Sequence, residues 1–156
     1  MVEIPDDLDN SVYSFMYWKS ITRETSDQYK LKKRYESYDK YGLGDIDGRK
    51  VIACTEMFGD IGDEVEVTFE KKVYYWNGES GTLFAIIGDF KNEEDSNCDE
   101  YGHLYTMKHG KYTQRSVVEF IVGNRFKGHH IKEIFPKLKD NPVIKIERTG
   151  VSYDFE

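Results

Sequence analysis

The spacing of apolar residues changes character near residue 45. Before it, Leu31, Tyr35 and Tyr38 recur four and three positions apart, which predicts a helix with one apolar face. Thr25 and Gln28 fit a capping box at its start, and Gly42 fits its stop. The predicted helix therefore spans 26–41. After "GLGDIDG" the period shortens to two. "RKVIACTE" (49–56) reads as a strand, and "DEVEVTFE" (63–70) alternates, with Val65, Val67 and Phe69 on one face. "KKVYYWNGESGTLFAIIGD" (71–89) reads as two strands about a turn at Asn77-Gly78. "LYTMKHGKYT" predicts a short hairpin around Gly110, "RSVVEFIVG" (115–123) a strand and "PVIKIERTG" (142–150) the last strand. "GHHIKEIFPKLK" (128–139) predicts a short late helix. The aromatic stretch "SVYSFMYWKSI" (11–21) predicts an extended segment against the core.

These elements fit one domain over 13–150. Residues 1–12 form an acidic, Pro-containing lead-in with little to order it, and 151–156 form a tail. Strands at this spacing, after one N-terminal helix, predict a mainly β fold of the small barrel or sandwich kind.

Composition narrows the class. The 156 residues include 12 Tyr and 9 Phe, too aromatic for a disordered chain. The net charge of -7 disfavours a phosphate backbone as partner, so no nucleic acid is expected. The one basic run, "KLKKR" (30–34), reads as a solvated helix face. No run of about 18 apolar residues is present, so no transmembrane helix and no membrane partner are expected. The N-terminus lacks the basic and apolar regions of a secretory signal. Action inside the cell, or export by another route to a cell wall, are both compatible with it.

Neither Cys54 nor Cys98 has zinc-type spacing. Cys54 reads as a small buried residue and Cys98 lies in a polar loop. The loop "NEEDSNCDEYGH" (92–103) is rich in acids but lacks the ladder of a calcium loop. It reads as a solvated acidic loop, and no metal and no cofactor are expected.

Two carboxylates stand out. Glu119 lies inside "SVVEFIV", otherwise wholly apolar. Alternation puts it with Val117 and Ile121, and puts Val118, Phe120 and Val122 on the other face. It is either a residue of a partly solvated outer face or a desolvated acid in a groove, with a raised pKa suited to proton donation. Asp89 closes the run "GTLFAIIGD". It is either ordinary Gly-Asp turn chemistry or a residue that the strand exists to position. Two carboxylates on neighbouring strands are a familiar basis for cleaving glycosidic bonds.

"GRKVIACTEMFGDIGDEVEVTFE", "GTLFAIIGDFKN" and "SVVEFIVG" occur in an order that resembles the three-aspartate (3D) domain of Firmicutes cell-wall enzymes. More distantly they resemble membrane-bound lytic transglycosylase A. Small proteins of Firmicutes phages and mobile elements are similar in pairing a "YKLKK"-like helix with this barrel and ending a strand in Asp-x-Lys, as Asp89-Phe90-Lys91 does. The resemblance covers roughly 13–149. It implies a six-stranded double-psi β-barrel with an N-terminal helix and a short late helix. It implies that Glu119 and Asp89 are the acid/base pair of a lytic transglycosylase that cleaves peptidoglycan glycan strands and leaves 1,6-anhydro ends, with Glu119 as the catalytic acid and Asp89 as the neighbour that modulates its charge or binds sugar. Thr55 stands where the family's earliest aspartate falls, and Glu119 where its later aspartate does.

Lys91 and His103 are the candidates for polar contact with substrate, and Tyr74, Trp76 and Tyr101 for stacking on sugar faces. The partner implied is peptidoglycan or another glycan. Two other readings remain beside it. One is a non-catalytic barrel that binds glycan or serves a phage or mobile-element assembly. The other is an intracellular regulator that acts through its acidic loop.

Overall fold

The fold is taken from a computed structural model of the chain. It describes residues 2–4, 15–35, 37–38, 43–71, 81–91, 97–98, 104–108, 111–114, 117–123 and 141–155.

The fold is mainly β, as the alternation predicted. The strands in chain order are β1 (Val2–Glu3), β2 (Phe15–Tyr17), β3 (Ser37–Tyr38), β4 (Gly44–Ile46), β5 (Arg49–Cys54), β6 (Asp63–Phe69), β7 (Thr82–Phe90), β8 (Asn97–Cys98), β9 (Leu104–Lys108), β10 (Lys111–Gln114), β11 (Glu119–Val122) and β12 (Val143–Ser152). One helix, α1, spans Asp27–Lys32, and 3-10 turns span Trp18–Ser20 and Glu56–Phe58.

Among the described residues, nine strands share one sheet, along the path β1-β12-β6-β7-β5-β11-β2, with β4 also on β5 and β3 on β4. The sheet is mixed and, over these residues, open. β5 runs parallel to β7, and β2 parallel to β11; the other pairings are antiparallel. β8, β9 and β10 form a separate three-stranded sheet. Its β9–β10 hairpin is the one predicted around Gly110, with Lys108 facing Lys111.

Each face of the large sheet carries a core. On β6 burial alternates residue by residue, and Val65, Val67 and Phe69 point inward as predicted. They join Ile52, Cys54, Leu83, Ala85, Ile87, Val118, Phe120, Val122, Val143 and Ile146 in the larger cluster. Each large aliphatic or Phe side chain so buried contributes about 1.5–3 kcal/mol. On the opposite face Val51, Ala53, Ile86 and Ile121 pack with Ile21, Leu31 and Ile46, and Trp18, Tyr29 and Tyr35 cover them. β5 supplies both clusters because it is covered on both sides. Its run reads "VIAC" without alternation for that reason.

Turn chemistry fixes the entry to β5. Asp47 (φ 50°) and Gly48 (φ 76°) make the two-residue connection from β4. Positive φ at both positions is the requirement of the tight hairpin turn that suits strand twist.

Several expected boundaries are corrected. The helix predicted over 26–41 ends at Lys32. Its cap is Ser26, whose hydroxyl accepts from the Tyr29 N–H at 3.2 Å, not Thr25. Ser37 and Tyr38 pair with β4 instead of continuing the helix. Leu31 is the residue that α1 buries fully, and pairing with a sheet outweighs the weak helix preference of a Tyr- and Ser-containing segment. Val2–Glu3 pairs with β12, and Ile4 is buried, so the acidic start is partly built into the sheet. The last strand runs on to Ser152, and Tyr153 and Phe155 pack on the helix-side cluster, so the expected tail is partly structured. Within the expected acidic loop, Asn97–Cys98 pairs with β9. β7 pairs with β5 and β6; residues 72–80, with the expected first strand and its turn at Asn77-Gly78, lie outside the described residues, as does the late helix of 128–139.

Candidate functional site

Asp89 owes its position to a defect in the ladder between β5 and β7. Ile52 faces Ile87, but Ala53 faces Asp89, so β7 carries one extra residue, Gly88. Gly88 is buried. A Cβ there would overlap Val51 and lie 3.0 Å from both Ile121 Cδ1 and Tyr35 Oη. Gly88-Asp89 is therefore not a turn at the strand end. It is a β-bulge inside β7, and only glycine lets the packed face close over it.

The bulge delivers Asp89 to a pocket of about 270 Å³, lined by Ile21, Thr22, Arg23, Ser26, Gln28 and Asp89. One wall is the chain that follows the Trp18–Ser20 turn. The other is the first turn of α1, ordered by the Ser26 cap. The Phe90 N–H donates to Asp89 Oδ1 at 2.8 Å, and the Gln28 side chain donates to the same carboxyl. Burial pushes the Asp89 carboxyl above the usual carboxylate range, and these two hydrogen bonds oppose the shift without cancelling it.

Glu119 begins β11 on the other side of β5. Ala53 pairs with Asp89 across the parallel ladder and with Glu119 across the antiparallel one. Residues directly opposite one another project to one face, and Ala53 belongs to the helix-side cluster. Both acids are thus on that face, two strand spacings apart, about 10 Å between Cα atoms. Glu119 is mostly buried, with 13% of its side chain exposed, and Lys91 Nζ lies 3.5 Å from its Oε1. Lys91 is itself 97% buried at the side chain (3% exposed), and its backbone N–H donates to the Cys54 carbonyl at 2.9 Å. It is neither a solvated surface lysine nor a free contact for substrate; its ammonium faces Glu119.

Two further groups sit at this end of β5. Cys54 is fully buried and free, as its apolar strand predicted. Burial pushes its thiol up to about 12, the Lys91 ammonium pulling the other way. It is a thiol at neutral pH, not a nucleophile. Thr55 is 2% exposed, and among the described residues its hydroxyl has no hydrogen-bond partner.

Of the residues singled out in the sequence, the fold brings Asp89, Glu119 and Lys91 to the same end of three neighbouring strands. His103, Tyr74, Trp76 and Tyr101 lie outside the described residues. The pocket walls, Thr22, Arg23 and Gln28, were not foreseen as site residues. Gln28 was legible only as a capping residue, and no local pattern couples it to a strand 61 positions on. Among the described residues no group of three or more His, Cys, Asp or Glu is placed to hold a metal ion, and no helix is long and apolar enough to cross a membrane.

No family model, no curated protein and no solved structure matches this chain. The chemistry has to be read from the site.

Proposed function

We propose that the surface at the joined ends of β5, β7 and β11 cleaves glycan strands in the manner of a lytic transglycosylase, with Asp89 as its acid and base, Glu119 as a supporting second carboxylate, and peptidoglycan as the substrate class. The observation that carries this reading is the Asp89 pocket. A carboxyl whose proton affinity is raised by burial stands at an open pocket lined by hydrogen-bonding groups. Such a group is suited to general acid catalysis closer to neutral pH than an ordinary aspartate.

In the proposed step, Asp89 gives its proton to the glycosidic oxygen as the bond from C1 to that oxygen breaks. The Asp89 carboxylate then takes the proton of the sugar's own 6-hydroxyl as O6 bonds to C1. One C–O bond is broken, one is formed, and the product carries a 1,6-anhydro end. No water enters. The tethered hydroxyl gains from proximity. Glu119, held by Lys91, is the second carboxylate, facing the positive charge that develops on the ring.

The double-psi barrel is the fold we propose for the complete domain. One arrangement supports it. β5 and β6 are consecutive and antiparallel, and β7 lies between them, paired with both. A ψ-shaped unit, two antiparallel strands with a third paired between them, would have this arrangement.

A second reading has its own observations. Thr55, not an acid, closes β5, and Lys91 occupies Glu119. A glycan-binding module without chemistry fits both. Incubation of the purified protein with peptidoglycan, followed by mass spectrometry of the soluble products, separates the two. New 1,6-anhydro muropeptides are the expected result. Co-sedimentation with peptidoglycan and no new ends would establish the binding module. New reducing ends would establish a hydrolase.

A further inference from the structure

The basic run 30–34 is not the uniformly solvated helix face that its composition suggests. Lys30, Lys33 and Arg34 are exposed, but Lys32 turns inward. Its Nζ donates to the Ile21 carbonyl at 2.6 Å. The same ammonium lies 4.5 Å from the centre of the Trp18 ring and 4.7 Å from that of Tyr29. One cation therefore touches the 3-10 turn through Trp18, the following segment through Ile21, and α1 through Tyr29.

Those are the two walls of the Asp89 pocket. Ile21, Thr22 and Arg23 form one, and Ser26 and Gln28 form the other. α1 has six residues, and a helix that short does not persist in water without outside support. Leu31 anchors it to the sheet. Ile21 of the facing wall is buried in the same cluster, and the Ser26 hydroxyl donates to the Arg23 carbonyl at 2.6 Å; Lys32 adds a charged tie between the two walls.

We propose that Lys32 is the positioning residue of the Asp89 pocket. Its ammonium, held between Trp18 and Tyr29 and bonded to the Ile21 carbonyl, holds the Trp18–Arg23 segment against α1 and so limits how much of the Asp89 carboxyl water reaches. Two aromatic faces and a carbonyl are the surroundings that favour a cation here. Burial works against them and lowers the proton affinity of Lys32. The other charged groups on the elements around Asp89 include Arg23 in the pocket wall and the Lys91–Glu119 pair across Ala53. Substitution of Lys32 leaves the Lys91–Glu119 pair in place, whereas Arg23 belongs to the wall that Lys32 holds.

This inference concerns the pocket and does not rest on glycan cleavage. A negative peptidoglycan assay leaves it standing. The test is a carbon-detected NMR titration of the side-chain carboxyls, with the Asp89 signal assigned from Asp89→Asn. Lys32→Met keeps the stem and removes the charge; Lys32→Arg keeps the charge. In Lys32→Met the Asp89 midpoint falls towards that of an ordinary aspartate as water reaches it, and in Lys32→Arg it stays near the wild-type value. An unchanged midpoint in a folded Lys32→Met protein would overturn the proposal. So would an equal fall in both variants, because packing rather than the cation would then hold the wall. Trp18→Leu, which removes one ring and leaves the lysine, gives the same reading if Lys32→Met does not fold, with the midpoint again expected to fall.

Discussion

Asp89 and Glu119 face the same residue, Ala53, from opposite sides, and their surroundings differ in kind. Asp89 meets a backbone N–H, a glutamine and an open pocket. Glu119 meets a buried ammonium. The β-carbons of one strand thus separate a carboxyl inclined to keep its proton from one held in an ion pair. The difference teaches that position on the sheet does not assign the roles of two acids. What each acid is packed against does.

The comparison breaks most severely at the ion pair. Lys91→Met or Glu119→Gln alone removes one member of a buried ion pair and keeps the other charge buried, and either is expected to cost about 3–5 kcal/mol of stability in denaturant unfolding. The double variant Lys91→Met/Glu119→Gln recovers most of that loss. Equal losses in the single and double variants would show that the pair is not coupled.

Gly88→Ala attacks the other side. The added methyl overlaps Val51 and crowds Ile121 and Tyr35, so a loss of about 1–3 kcal/mol is expected from overpacking. The bulge is also disturbed, and with it the Asp89 titration. Ser26→Ala removes the hydroxyl that caps α1 and is expected to cost about 1 kcal/mol.

The smallest effect is one of sign. The folded state raises the Asp89 pKa above its unfolded value. Its contribution to stability is therefore fully present below the unfolded pKa and is lost as pH rises through the folded value. Asp89→Asn cannot ionise. It is expected to be modestly more stable than wild type at neutral pH, with the advantage vanishing in acid. Thermal unfolding from pH 3 to 8 checks this, and a variant less stable at neutral pH than in acid, relative to wild type, would contradict it.

Much of the sheet was legible in the residues. Strict alternation on β6 gave both its span and its inward face, and the Gly110 hairpin followed from turn chemistry. The run "VIAC" on β5 could be read as buried but not as the rung between two acids. That role depends on register with β7 and β11, which is a long-range property. The helix misled because Tyr35 and Tyr38 continue its period while Ser37 and Tyr38 pair with β4. At the site, both acids were visible as anomalies in apolar strands. Their environments were not. Lys91 looked like a surface residue because nothing local shows that it is buried with its ammonium beside Glu119. Gly88-Asp89 looked like a turn because a bulge and a turn use the same residues. Lys32 was hidden in a basic run in which one member of four points inward.

The central claim is that Asp89 supplies the proton in a glycan-cleaving pair. The most direct measurement is the yield of 1,6-anhydro muropeptides from peptidoglycan by three proteins: wild type, Asp89→Asn, and the charge-balanced Lys91→Met/Glu119→Gln. Removing a general acid costs on the order of 10²–10⁴ in rate. The account predicts product from wild type, a loss of that size in folded Asp89→Asn, and a smaller loss in the double variant. Undiminished product from Asp89→Asn, or none from any of the three while all remain folded, would contradict it.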